Sequence, residues 1–295
     1  MKVLVTGGAG FLGGHVVEAL LQDGHDATIF DEQCPTNIPA GRPDGATFIE
    51  GDITDQDAVL KATNGCDAIY HFAAIANIGE AAAEPIKTFQ INVMGTLNIL
   101  EAARANNINR LIFASSIYVY SKQGTFYRTS KRTCEQLIED YHSEFGLNYT
   151  ILRFGSLYGP HADETNAVYQ MIKQALETNT IAYKGSGEEL REYIHASDGA
   201  AAAVEMLEPA FENQIIHLTG HESMTTRNMM DMIAEILGSN VTIKVNTGEM
   251  PGHYFQTPYS YTPKLGRKLI RNSYIDIGLG LLDLIEHHDQ KEADE

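Results

Sequence analysis

The sequence predicts an α/β protein: a doubly wound parallel sheet in the first half and a smaller α/β domain behind it. Three observations lead there. Short apolar runs alternate with segments of helical period through the first 160 residues. A glycine-rich turn joins the first run to the first helical segment. Past Pro160 the alternation gives way to amphipathic helices separated by loops and short runs.

The elements follow in order. Lys2–Val5 is a short apolar run, and Phe11–Leu21 repeats with helical period. Ala27–Phe30, Thr47–Glu50, Ala68–Phe72, Leu111–Ala114 and Tyr149–Leu152 are further strand candidates, and Ile86–Asn106 and Phe126–Phe145 are helix candidates between the later ones. Nearly continuous apolar runs suit strands covered on both faces, as in a parallel sheet. Right-handed crossovers then give double winding. In the second half, Asn166–Glu177 and Thr226–Leu237 read as amphipathic helices and Val241–Val245 as an alternating strand. Leu279–His287 reads as a closing helix and Gln290–Glu295 as a frayed charged tail. The expected division is a first domain over 1–160, with segments returning to it near 193–219, and a second domain mainly over 161–295.

Composition narrows the class. The chain has 295 residues, 43% of them hydrophobic, with 21 basic and 39 acidic residues for a formal net charge of −18. That balance argues against binding nucleic acid or anionic membrane, because phosphate backbones and acidic headgroups are repelled. Cys34, Cys66 and Cys134 are an odd number without a C-x-x-C pair, so neither a disulfide framework nor a zinc knuckle is expected, and a reducing cytoplasm is. No apolar run reaches the roughly 18 residues of a membrane span, and the first residues run straight into a strand, with no signal peptide expected. Eleven histidines are present, none in a metal-ligand array, and His287-His288 sits in the terminal helical segment; no metal is expected.

Thr6-Gly7-Gly8-Ala9-Gly10-Phe11-Leu12-Gly13 follows the first strand and opens the first helix. Gly7, Gly10 and Gly13 make G-x-x-G-x-x-G, and Gly8, Gly10 and Gly13 make G-x-G-x-x-G. Glycine permits the tight turn and close approach of backbone N–H groups to a pyrophosphate, and the helix N-terminus adds positive potential. Gly13 is expected to let the helix pack closely on the sheet. Asp31 ends the second strand at the distance where a carboxylate accepts from both ribose hydroxyls and repels a 2′-phosphate. This is a Rossmann-type dinucleotide signature, and Asp31-Glu32 favours NAD over NADP. In Gly51-Asp52-Ile53, Asp52 has two readings: an acceptor for the adenine amino group or a helix N-cap.

Leu111–Ser116 is a buried strand ending in Ser115 and Ser116, and strand carboxyl ends face the ligand crevice in such sheets. Tyr127 and Lys131 open the next helix four residues apart, on one face. A neighbouring ammonium stabilises phenolate, so Lys131 is expected to lower the Tyr127 pKa and let it exchange a proton with a substrate hydroxyl. Ser116 is placed to hold that hydroxyl or a carbonyl oxygen.

With these residues in hand, the chain resembles the extended short-chain dehydrogenase/reductases, the family of nucleotide-sugar epimerases and dehydratases. The resemblance rests on Thr6–Gly13, Asp31, Gly51-Asp52, His71-Phe72-Ala73-Ala74, Asn92-Val93-x-Gly95-Thr96, Ser115-Ser116, Tyr127-x-x-x-Lys131, Arg153–Pro160 and Arg191–His195. It implies that Gly7, Gly10, Phe11, Leu12, Asp31, Asp52, Ile53, Phe72, Ala73, Ala74, Asn92, Ser115, Tyr127 and Lys131 contact NAD. It also implies that Ser116, Tyr127 and Lys131 carry the chemistry, and that Ser116, Ser156 and Arg191 contact a nucleotide-sugar substrate. Arg191 is expected to hold the diphosphate, the other reading being a salt bridge with Glu188 or Glu189. His195 is expected to pack structurally. The family's Asn in R-x-x-N-x-Y-G-P is Ser156 here. Family dehydratases carry an Asp-Glu pair after the catalytic serine or threonine, where this chain has Ile117-Tyr118. That leaves hydride chemistry at one hydroxyl carbon. The expected function is therefore NAD-dependent 4-epimerisation with Tyr127 as acid and base. The alternatives are an NAD(P)H-dependent ketoreductase and, in another class, a non-catalytic NAD(P)-binding sensor or scaffold. Only ten residues separate Ser116 from Tyr127, fewer than in typical family epimerases, which predicts a more open or differently shaped sugar site. The resemblance also implies a homodimer formed through the two long helices, unless their apolar stripes simply face the sheet.

Overall fold

Apolar alternation at the finest scale builds the central sheet. In strand β1 (Lys2–Thr6), Val3 and Val5 point to one face and Leu4 to the other, and all three are buried. Such two-sided burial, about 1.5–3 kcal/mol for each large aliphatic side chain, demands helices on both faces. The computed structural model, which describes residues 1–33, 45–238, 240–246 and 252–261, supplies them.

The strands are β1, β2 (Asp26–Asp31), β3 (Thr47–Glu50), β4 (Ala68–His71), β5 (Arg110–Ser116), β6 (Asn148–Phe154), β7 (Ser156–Tyr158), β8 (Thr180–Lys184), β9 (Leu190–His195), β10 (Gln214–Leu218), β11 (Ser223–Thr225) and β12 (Thr242–Asn246). The helices are α1 (Phe11–Gln22), α2 (Gln56–Ala62), α3 (Ile78–Ala83), α4 (Pro85–Phe89), α5 (Gly95–Ala105), α6 (Thr125–Phe145), α7 (Ala167–Thr178), α8 (Ala196–Glu205) and α9 (Thr226–Leu237). A seven-stranded sheet runs in the order β10-β6-β5-β4-β1-β2-β3, and every neighbouring pair is parallel. The winding reverses between β1 and β4, which opens a crevice at their carboxyl ends.

On one face α1 and α8 bury Val16, Val17, Leu20, Ala200 and Ala203 against Val3, Val5, Ile112 and Leu152. On the other, α2, α5 and α6 bury Val59, Ile99, Leu100 and Ile138 against Leu4, Ile69, Leu111 and Ile151. The expected helix over 86–106 is broken in character: a π turn, Gln90–Met94, links α4 to α5. The elements past Pro160 form a separate apolar cluster, in which α7 and α9 pack Met171, Ala175, Met230 and Ile233 with Ile181 of β8. A three-stranded sheet, β11-β9-β7, and a parallel pair, β12-β8, accompany it. Within 193–219, α8 and β10 return to the central sheet, whereas β9 stays in the three-stranded sheet. All described residues lie in one compact unit, Met1–Thr262. Leu279–His287, Gln290–Glu295 and Cys34 lie outside the described residues.

Candidate active site

A cleft of about 1270 Å³ opens over the carboxyl ends of β1, β2, β4 and β5. Its floor is the glycine turn. Gly7 has φ +71°, and a Cβ there would lie 2.6 Å from the Ala73 nitrogen. A Cβ on Gly13 would lie 2.0 Å from the Gly7 carbonyl oxygen. Gly13 thus lets α1 close on the turn itself rather than on a neighbouring strand, a correction to the expectation above. Gly10 caps α1 without a side chain, and no acidic residue occupies the first turn, so the helix N-terminus faces the cleft with its positive potential intact. This is a cradle shaped for a dinucleotide pyrophosphate: a side chain on Gly7 or Gly13 would collide with its backbone walls and distort it.

Gly7, Gly10, Phe11, Leu12, Asp31, Asp52, Ile53, Phe72, Ala73, Ala74, Ser115, Ser116, Tyr127 and Lys131 all line this cleft. Asp31 accepts from the Ala9 N–H at 3.0 Å through one carboxylate oxygen, tying β2 to the turn. Asp52 is not the helix cap: it accepts from the Thr54 N–H at 2.7 Å, and α2 is capped by Asp55, which accepts from Asp57 and Ala58 N–H at 3.0 and 3.1 Å. Partial burial and then Asp52 raise the carboxyl pKa of Glu32. Three carboxylates at this end disfavour a 2′-phosphate, so the cradle fits NAD.

Three predicted residues are not brought to the cleft. Asn92, 2% exposed, sits in the π turn with both amide hydrogens engaged: it accepts from the Ile75 N–H at 2.7 Å and donates to the Ile75 carbonyl at 3.0 Å and to Ser130 Oγ at 2.9 Å. It holds α6 against the loop after β4. Ser156 lies half-buried on β7, paired with Tyr193. Arg191 is buried on β9, donates to the carbonyls of Leu190 at 3.0 Å and Phe255 at 3.2 Å, and lies 4.4 Å from the Tyr254 ring centre. No salt bridge joins it to Glu188 or Glu189. Glu189 instead accepts from the Ser186 N–H at 2.8 Å and the Gly187 N–H at 3.0 Å. His195 packs as expected: it caps α8 through its ring and stands edge-on to Tyr158 at 5.4 Å.

The reacting end gathers Ser116, at the end of β5, with Tyr127 and Lys131 on α6. Lys131 is buried, donates from Nζ to the Ala114 carbonyl at 2.7 Å and lies 4.7 Å from the Phe113 ring centre. Burial lowers its pKa to about 8, with Cys134 and Glu135 acting in the opposite direction. Burial pushes Tyr127 up to about 12, and the Ser116 hydroxyl beside it acts to lower it. The expected lowering of Tyr127 by Lys131 is therefore not expressed in this arrangement: burial dominates, and the ammonium is bonded to the Ala114 carbonyl. Among the described residues no group of three or more His, Cys, Asp or Glu side chains is arranged to hold a metal.

The shortened connection after Ser116 does not leave this side open. Ile117–Tyr120 forms a 3₁₀ turn, and Tyr118 stacks at 4.6 Å on Tyr254 and shares a 2.8 Å hydrogen bond with His253 Nδ1. The Gly124 N–H donates to the Gly252 carbonyl at 2.8 Å. Residues far along the chain pack against this connection, and nothing in the spacing of Ser116 and Tyr127 signalled them. The sequence reading also missed Leu157, His161 and Asp163 as cleft-lining residues.

The sequence model described as the NAD dependent epimerase/dehydratase family matches residues 3–219. The chain belongs to this family. It is 30% identical over 254 residues to a putative UDP-glucose 4-epimerase of Methanocaldococcus jannaschii, covering 80% of this chain and 82% of the relative. It is 26% identical over 318 residues to a dTDP-glucose 4,6-dehydratase of Streptomyces niveus, covering 99% and 94%. A solved UDP-N-acetylglucosamine 4-epimerase from Methanobrevibacter ruminantium, in complex with UDP-N-acetylmuramic acid, superposes with TM-score 0.80 at 28% identity, covering 88% of this chain and 89% of that one. The protein is thus an NAD-dependent enzyme of the epimerase/dehydratase family with the Rossmann-like fold of its relatives, and the cradle around Gly7 and Gly13 is where the family's cofactor fits. No helix among the described residues is long and apolar enough to cross a membrane.

Proposed function

We propose that the protein is a nucleotide-sugar epimerase that inverts one sugar hydroxyl carbon, of the 4-epimerase type. The observation that carries this reading is the grouping of Ser116, Tyr127 and Lys131 at one end of the cofactor cleft, with neutral residues at 117 and 118. Elimination of water needs an additional acid and base beside the reacting carbon. The two positions that follow Ser116 carry none; Ile117 is buried and Tyr118 is engaged with His253.

NAD, when bound, supplies reversible hydride transfer and positive charge. Tyr127 Oη removes the proton of the substrate hydroxyl and later returns it. Ser116 orients the same oxygen. A phenol held near pKa 12 is a poor base at neutral pH. It becomes a competent one when positive charge gathers beside it, and Lys131, one turn along α6, is the chain's own source. The burial of Tyr127 and Lys131 excludes bulk water and makes each charge count for more. UDP-linked sugars are the substrate class supported by two of the relatives just described. We assign the region past Pro160, except α8 and β10, to the substrate side. We further propose a homodimer, supported by exposed Ile86, Met94, Phe126 and Phe145 on α4, the π turn and α6.

The test is incubation with UDP-glucose, UDP-N-acetylglucosamine and UDP-glucuronic acid. Isomer formation without net change in NADH absorbance is expected. Stoichiometric consumption of NAD(P)H would make the protein a ketoreductase, and a 4-keto-6-deoxy product would make it a dehydratase; either overturns the proposal.

A further inference from the structure

Beneath the catalytic pair lies a buried ion pair that the chemistry above does not use. Glu135 and Arg153 are 3% and 5% exposed. The guanidinium grips the carboxylate as a fork, Nε donating to Oε1 at 2.9 Å and Nη2 to Oε2 at 2.6 Å. Oε1 also accepts from Ser115 Oγ at 2.5 Å. Arg153 stands on β6 directly across the ladder from Ser115 on β5. One carboxylate therefore joins α6, β5 and β6. A turn earlier on α6 comes Lys131, whose Nζ is bonded to Ala114, the residue before Ser115. Both side chains clamp the same end of β5 from the same helix.

We propose that Glu135 is a positioning residue for the Tyr127–Lys131 pair: held by Arg153, it fixes α6 to the end of β5 and places the nearest carboxylate charge behind the Lys131 ammonium. The proposal rests on the assignment of Lys131 to the chemistry.

The groups around Lys131 single out Glu135. On α6 they are Cys134 and Glu135, with Tyr127 one turn earlier; on β4 there is His71; Phe113 of β5 presents its ring face; and Arg153 of β6 faces Glu135. Tyr127 stays a phenol at neutral pH. Burial raises the Cys134 pKa, so it remains a thiol. Burial and then Lys131 lower His71 to about 3, so it stays neutral. Glu135 is the one carboxyl group among these, and it acts to raise the Lys131 pKa. Because Arg153 neutralises it as a pair, removing either partner alone changes the field at Lys131 in opposite directions, whereas removing both changes it little.

The experiment uses the full chain labelled with [ε-¹³C]lysine, its Lys131 resonance assigned by loss in Lys131→Met. Glu135→Gln keeps the shape of the side chain and leaves Arg153 charged; the Lys131 titration midpoint is expected to fall by roughly one pH unit, the scale of a nearby opposite charge. Arg153→Gln is expected to move it upward, and the double variant to return it close to wild type. The alkaline limb of turnover should shift with the midpoint. A purely structural ion pair would lower thermal stability in these variants and leave the Lys131 midpoint where it was. A midpoint within a few tenths of the wild-type value in every single variant that folds overturns the proposal. The titration needs no substrate, so a failed epimerase assay and a failed positioning role are separate results.

Discussion

Replacing Lys131 by Met should make the NAD-free protein more stable near neutral pH, although it removes a residue of the proposed chemistry. The ammonium is almost fully buried, and its pKa falls from 10.5 to about 8, with burial the largest cause. Holding that charge inside the fold costs about 3 kcal/mol below pH 8, at roughly 1.4 kcal/mol per pH unit. Methionine forfeits the bond to the Ala114 carbonyl, about 1 kcal/mol, and the contact with the Phe113 ring, about 0.5–1 kcal/mol. The expected net gain near pH 7 is about 1–2 kcal/mol. Its pH dependence has a definite sign. Between about pH 8 and 10.5 the unfolded lysine still holds its proton while the folded one has released it, so the unfolded state binds more protons and wild-type stability rises with pH. The advantage of Lys131→Met should shrink across that window. Tyr127, raised to about 12, acts in the opposite sense above pH 10, but it does so in both proteins and cancels in the difference. Urea unfolding of the two NAD-free proteins near pH 7 and near pH 10 measures the difference directly. A variant less stable than wild type at neutral pH, or a difference that does not change with pH, would refute the argument that desolvation dominates at Lys131.

Tyr127→Phe should reduce turnover by at least about 10²-fold, the scale of a lost acid–base group, while NAD remains bound as judged by absorbance of the nucleotide released on denaturation; surviving turnover would remove Tyr127 from the mechanism. Gly13→Ala places a Cβ 2.0 Å from a backbone oxygen that cannot yield cheaply; a loss of roughly 1–3 kcal/mol in stability and of most NAD affinity is expected from calorimetry, and wild-type NAD binding would show that α1 can move away. Asp31→Ser removes one of three carboxylates at the ribose end, so the ratio of NADP to NAD affinity should rise at least tenfold, about 1.4 kcal/mol, in competitive titrations; an unchanged ratio would place the 2′-position elsewhere.

Much of the fold was legible because its determinants are local. A run such as Ala68–Phe72 reads as a buried strand from its own residues, and β4 lies there within a residue. Tyr127 and Lys131 share a face because helical spacing puts them there, and the glycine turn declares itself through residues adjacent in sequence. The boundaries of α6 likewise follow from Gly124 and Gly146, both at positive φ. Other parts were not legible, for reasons particular to each. Asn92 matched a family motif, but only the loop after β4 and Ser130 on α6 show that its amide is engaged in the interior, with both N–H groups taken. Arg191 offered two plausible partners nearby in sequence, and the carbonyl of Phe255, 64 residues away, was one of the two it took. The gap between Ser116 and Tyr127 suggested a more open or differently shaped pocket, and it could not show that Tyr254 and His253 pack against Tyr118 from beyond residue 250.

The sequence by itself determined the alternation of strands and helices, the glycine turn, the acidic end of the second strand and the spacing of Tyr127 and Lys131. These depend on backbone sterics and on periodicity over a few residues. Only the tertiary structure decided which polar side chains face the cleft and which are consumed in the interior. That choice depends on strand order, which sets Arg153 beside Ser115 and beneath α6, where it meets Glu135. It depends too on burial, which holds Lys131 near pKa 8 and Tyr127 near 12 in place of the lowered tyrosine that helical spacing predicts. A spacing of four residues brings two groups together; the dielectric around them and the partners that chain topology supplies set their charge.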